Sequence, residues 1–330
     1  MKDFSFKDVF DLMRKTAPFL IFRFLVYFAI TLCFVLITGA GAGVGYGVGY
    51  IANAAPMGGM WGGLVGFGVA SAIMYLIREY LLYIVKAGHV AVLVTLIEGK
   101  EIPGGKGQVD YARQMVQERF ATSSLLFALD QLIKGILKTF NKTFMSVATI
   151  IPIPGAKGLV KFFNTILTLS LTYLDEVILA YLIKTRTENP WASSRTAIIL
   201  YAQNYTKFLK NAVWLAVFVW VLTFMIFLLV LGPAALLVKL FPGTGGPLTL
   251  IVALVFAWGI KQAVIEPVAM IALMLVFFKV TVGQTADPEW EARLESISIK
   301  FNELKQKALK TQQEQTAQSG DSQEQPPSPS

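Results

Sequence analysis

Asp130, Lys134, Lys138 and Lys142 recur every fourth position, so in an α-helix they share one face. Leu132, Ile133, Ile136, Leu137, Phe140 and Phe144 make the other. After the turn IPIPGAKG, whose prolines and glycines end a helix, a second polar stripe runs through Thr165, Thr168, Thr172 and Asp175, with Tyr173 and Glu176 beside it. Counted from that turn, Lys134 and Asp175 fall at similar depth on opposite arms. The spacing therefore predicts that ammonium and carboxylate meet across a hairpin. Charges in apolar segments are candidates for a site by default. Arg78 and Glu79, with Tyr75, Tyr80 and Tyr83 nearby, stand deep in a second apolar segment. Lys261 and Glu266 stand at a comparable distance from their own turn. These two sets are either related half-sites or the places where helices leave hydrocarbon. Arg23, a turn and a half into its segment, reads as a snorkelling side chain.

Other chemistries lack their parts. Cys33 is the only cysteine and His89 the only histidine, which removes an internal disulfide, a cysteine-based zinc site and a dispersed Ser-His-Asp triad. No recognisable nucleophile–base pair or metal-ligand cluster stands out, so no enzyme activity, metal or cofactor is expected. Phosphate cradling fails as well. The glycines from Gly39 to Gly49 contain neither a P-loop pattern nor a complete dinucleotide fingerprint.

The elements that must position these charges are membrane helices. The chain is 55% hydrophobic and 15% charged, against about 45–50% and about 25% in a soluble domain, and several apolar runs reach the roughly 20 residues that span hydrocarbon. The expected fold is an all-α polytopic membrane protein with four to six transmembrane helices in hairpins and cytoplasmic amphipathic helices. A cytoplasmic amphipathic segment over 1–17 precedes a retained first span, since acidic and basic residues and a long apolar run do not suit a cleaved signal. A first hairpin covers 18–86. A helix extension and amphipathic segment cover 87–120, with Gly88 a possible break. A middle hairpin, crossing or re-entrant, covers 121–184. An amphipathic segment over 185–210, a last hairpin over 211–280, an amphipathic helix over 281–312 and a disordered tail over 313–330 complete the chain. Basic residues fill the loops before the first span, at Lys100–Arg119 and at Lys184–Lys210, while Asn53–Met60 and Phe241–Gly246 have none. The positive-inside rule then puts both termini in the cytoplasm of a multi-pass cell-membrane protein. The net charge of +8 is accounted for by sidedness, and no nucleic-acid partner is expected. The outer thirds share one plan, either a parallel duplication or the chance likeness of hairpins.

Gly39/Gly43/Gly47 and Gly41/Gly45/Gly49 are two interleaved small-xxx-small series, answered by Gly58/Gly62/Gly66 and Gly59/Gly63 across the turn. They predict close packing of the first two spans, the alternative being a glycine-lined pore. Trp290, Leu294, Ile297, Phe301, Leu304 and Ala308 form a seam on a C-terminal helix, for the membrane surface, a partner helix or the protein's own body.

Arg119, Phe120, Thr122, Ser124, Leu125 and Phe127 fit a RYHTGSLAFG-like stretch, with Ala121 for its histidine and Ser123 for a glycine. Ser193, Arg195, Ala197, Leu200 and Asn204 fit a SARNAFxLLxRN-like stretch. In these motifs, and in element order from Tyr80 to Lys310, the chain resembles the choline-transporter-like family. It departs where KVTVGQTADPEW replaces an acidic, Asn-rich stretch, and it has no room for that family's large extracellular region. The resemblance implies transport of a small organic cation such as choline. A quaternary ammonium needs aromatic faces and a carboxylate, for which Tyr173, Asp175 and Glu176 are the best local set, with Lys134, Arg78 and Glu79 as further candidates. The rival reading is a non-transporting scaffold or assembly subunit that recruits partners through its cytoplasmic helices. Expected partners are the bilayer, a small organic cation, and a second copy or a membrane-complex subunit.

Overall fold

The computed structural model describes residues 3–102, 107–119, 125, 128–139, 173–186, 188–239 and 246–321, with the backbone alone for 74–81, 119, 246–248 and 318–321. Among them there are helices and connecting turns and no strand. The helices are α1 (Phe6–Lys15), α2 (Ala17–Ile51), α3 (Ala55–Ile97), α4 (Gln108–Arg119), α5 (128–139), α6 (Leu174–Thr185), α7 (Pro190–Gln203), α8 (Tyr205–Val238), α9 (Gly246–Ile260), a π turn (Lys261–Ile265), α10 (Glu266–Thr281), α11 (Pro288–Ile297) and α12 (Ile299–Asp321). The IPIPGAKG turn, Thr165, Thr168, Thr172, Lys142 and most of Arg119–Phe127 lie outside the described residues, as do 240–245 and the tail beyond Asp321. So does the question whether 121–184 crosses.

Among the described residues three helices are long and apolar enough to span a membrane, Ala17–Ile51, Tyr205–Val238 and Thr249–Thr281; the expected four to six are not reached within that set. Each leaves large apolar side chains exposed, among them Leu25 and Leu36, Trp220 and Leu229, and Leu250 and Leu254. The exposed stripe on the last of them ends at Val264. Beyond it α10 is buried on nearly every side, as an all-round apolar helix must be. The run that reads as one span is thus two environments joined by the π turn, a lipid-type half and a core half.

The core half belongs to a helical body. The end of α3, α5, α6, α7, α10, α11 and α12 pack around Leu93, Ile136, Ile178, Ile199, Phe277 and Phe301. α1 joins it through Val9 and Leu12. The predicted seam is used here. Leu294, Phe301, Leu304 and Ala308 are buried, Asn189 Nδ2 donates to Ala308 O at 2.8 Å, and Arg195 pairs with Glu291 at 3.1 Å. The seam breaks at Ser298, whose backbone is extended and whose hydroxyl caps the next helix at Phe301 N, 3.2 Å. That helix runs on to Asp321, past the residue-312 boundary read from composition.

α2 and α3 run antiparallel, joined at Asn53, which adopts the left-handed conformation that Asn tolerates. Only one of the two glycine series packs. A Cβ on Gly45 would overlap the Gly58 carbonyl and sit 2.7 Å from Gly62 Cα, and one on Gly41 would sit 2.8 Å from Gly66 Cα. Gly43 and Gly47 face open space, which corrects the expectation that both series seal the pair.

Candidate functional site

The first turn of α6 carries Asp175 and Glu176, where a helix N-terminus favours negative charge. Glu176 is sealed against α3 and its side chain is 5% exposed. Its Oε1 accepts from Lys86 Nζ at 2.6 Å, and its own N–H donates to Asp175 Oδ1 at 3.0 Å. The two carboxylates also lie against each other. Asp130, on α5, is a third acid in the same electrostatic neighbourhood. Its side chain is 1% exposed and holds Lys134 at 2.6 Å, yet among the described residues its Oδ1 has no hydrogen bond. Tyr83 lies near all three acids, and Tyr173, buried, lies near Glu266. Among the described residues three carboxylates thus share two lysines inside an apolar core. Arg23 acts on Lys86 as a further cation, and the mutual repulsion of three ionised carboxylates is a setting that attracts a proton or a cation.

The structure differs from the sequence reading in the pairing. Lys134 does not reach across to Asp175. It closes on Asp130 one turn earlier, and the lysine that serves the Asp175–Glu176 turn is Lys86. The physical reason is that α3 continues unbroken through Gly88 and carries Lys86 into the body. Gly88 is therefore a packing point rather than a break. A Cβ there would meet Phe19 Cζ at 3.1 Å and Ala112 Cβ at 3.2 Å. Arg78 and Glu79 stand two turns earlier on α3, and their side chains lie outside the described set. Lys261 and Glu266 pair with each other across the π turn.

Arg23, read from sequence as a snorkelling side chain, is instead 1% exposed. Its Nε and Nη2 donate to Gln262 O at 3.2 and 2.9 Å. In the π turn Glu266 N–H goes to Lys261 O, and the next donor in line, Pro267, has no N–H. Gln262 O is left without a helical partner and Arg23 supplies one. Nη1 of the same guanidinium faces His89 Nδ1 at 3.4 Å. Arginine can only donate, so Nδ1 accepts and Nε2 carries the proton, which points to Thr16 Oγ1 at 3.3 Å. Thr16 in turn donates to Leu12 O at 2.9 Å. Phe19 stacks on the imidazole with centroids 5.1 Å apart. The lone histidine, whose partners the sequence does not show, thus ties three helices together. The signal for it was present in the apolar pattern that runs on through HVAVLVTLIEG.

Two apolar cavities lie near this site, with volumes of about 330 Å³ between α2, α3 and α4 and about 250 Å³ between α2, α3 and α9. The second is flanked by Phe34, Phe67 and Trp258. Its buried Thr31 hydroxyl has no hydrogen-bond partner among the described residues. Neither cavity is lined by the three carboxylates. Of the residues that carry the family resemblance, Arg195 is spent on Glu291, and Asn204 donates to Gln284 Oε1 at 2.7 Å. No protein-family model, curated protein or solved structure matches the chain.

Proposed function

We propose that the chain is a four-crossing membrane protein, with α2, α3, α8 and α9 in hydrocarbon and both termini cytoplasmic, and that it moves a small organic cation such as choline. The observation that carries this reading is the cluster of Asp130, Asp175 and Glu176. Among the described residues it sets three buried carboxylates against two lysines and includes carboxylate oxygens, Asp130 Oδ1 and Glu176 Oε2, with no hydrogen bond. Leaving such charge in a core is costly and is tolerated where it serves a ligand. Tyr83 and Tyr173 add aromatic faces suited to a quaternary ammonium. The scaffold reading loses its main feature, because the C-terminal seam is already covered by α7 and the body.

The test is uptake of labelled choline into proteoliposomes. Uptake above empty vesicles, lost in Asp175→Asn and Glu176→Gln proteins that still elute as folded species, supports the proposal. Absence of uptake by the unaltered chain, or full uptake by both variants, refutes it. Topology is checked separately in a Cys33→Ser background. Met57→Cys should label from outside intact cells and Gln313→Cys only after permeabilisation.

A further inference from the structure

The larger cavity has one wall made by α4. Val109, Ala112, Arg113, Val116 and Gln117 line it at i, i+3, i+4, i+7 and i+8, the spacing of one helix face. α4 is fixed at this place by its first residue. Gln108 Nε2 donates to Lys15 O at 2.7 Å, and its Oε1 accepts from Phe19 N at 3.2 Å. Gly88 forms part of the opposite wall and gives room that a side chain would take. Phe22, also in the lining, adjoins Ile21, Phe24 and Leu25, which begin the exposed apolar stripe of α2. The slot is therefore continuous with the surface that faces lipid. Its lining is apolar except for Arg113 and Gln117. Arg113 is exposed, as are Arg14 and Lys15 beside the Gln108 anchor. Among the described residues none of these three cations pairs with a carboxylate.

We propose that this slot holds an acyl chain of an anionic phospholipid from the leaflet on the side of the termini, with its phosphate at Arg113. Three observations select that occupant: an interior that is apolar apart from Arg113 and Gln117 at one side, continuity with the lipid-facing stripe, and exposed cations, Arg113 with Arg14 and Lys15, that pair with no carboxylate among the described residues. An exposed apolar slot costs free energy in water, and a lipid tail removes that cost. Basic residues at such a position select anionic headgroups over zwitterionic ones. The inference needs only that the apolar band faces lipid and is independent of the transport reading.

The experiment uses the full chain in proteoliposomes containing phosphatidylglycerol or phosphatidylcholine with a diazirine on the acyl chain. Irradiation is followed by peptide mapping. Phosphatidylglycerol should label the 109–117 stretch, Phe19 and Phe22 in excess of phosphatidylcholine. Arg113→Gln should lower the phosphatidylglycerol label there about fivefold, to the phosphatidylcholine level. Ala112→Phe, which fills the slot, should remove both labels while those on the outer stripe at Phe24 and Leu25 persist as an internal control. Label confined to the outer stripe in the unaltered chain overturns the proposal without any variant having to fold. So does slot label that survives Ala112→Phe. Glycerol phosphate, which lacks a tail, should not compete, and competition by it would mark a metabolite site instead.

Discussion

Removing the ammonium of Lys86 leaves Glu176 buried at 5% exposure with Asp175 against it. At 2.6 Å and an effective dielectric near 20, the attraction lost is about 6 kcal/mol. Part of it returns, because water can enter where Lys86 stood, 24% exposed, and because the acid can take up a proton. The net cost of Lys86→Met is then expected at about 3 kcal/mol, the lower end of the range for breaking a buried pair. Lys138, exposed on the outer face of α5, should lose less than about 0.5 kcal/mol in the same substitution. Lys86→Met combined with Glu176→Leu should recover at least about 1 kcal/mol over the sum of the single losses, since the orphaned charge is gone. Lys134→Met with Asp175→Leu should show a smaller coupling than this pair, since Lys134 closes on Asp130. Reversible unfolding in mixed micelles measures all of these. Additive losses at 86 and 176, or a dominant coupling between 134 and 175, would refute the assigned pairing.

Three further outcomes follow from the geometry. Gly45→Ala and Gly62→Ala should each lower the unfolding midpoint, because a methyl group at either position overlaps the facing backbone. Gly43→Ala should leave the midpoint unchanged or raise it by about 0.4–1 kcal/mol equivalent, since that position is open and alanine restricts the unfolded chain. Pro267→Ala should soften the loss caused by Arg23→Met, because a restored N–H lets Gln262 O find a helical partner; equal losses from Arg23→Met in both backgrounds would show that the carbonyl is not what Arg23 satisfies. Lys210, 2.8 Å from Asp3, holds the Asp3 carboxyl below its usual range, with Asn211 adding to the effect. A lowered native pKa means that this anchoring of the N-terminus is present above about pH 4 and is lost as pH falls through the depressed value. Carbon-detected titration of Asp3 should show the depression, and Lys210→Met should return it toward the ordinary value.

The sequence makes legible those features that depend on run length and local spacing. The apolar runs at 17–51 and 205–238 exceed what hydrocarbon requires, and the Gly41 and Gly58 series declare a close approach by spacing alone. Depth along a single helix does not identify a charge's partner. Arg23 sits close to the start of α2, which suggests escape to water, but its partner is a carbonyl 239 residues away freed by a proline that local reading connects only to its own helix. Distance from the turn pairs Lys134 with Asp175, whereas Asp130 lies one turn away on the same helix and a nearer lysine arrives on α3. The middle of the seam at Ser298 was not legible either, since the heptad-like spacing continues through the break.

The glycine seam between α2 and α3 also limits how this protein can move. Its notches repeat every four residues, about 6 Å along the axis. Any smaller slide drives a carbonyl or a Cα into a facing strip that has no free space. Sliding is therefore barred and the two helices travel as one plate. A change of shape in the apolar band must then move that pair as a unit rather than shift one helix along the other.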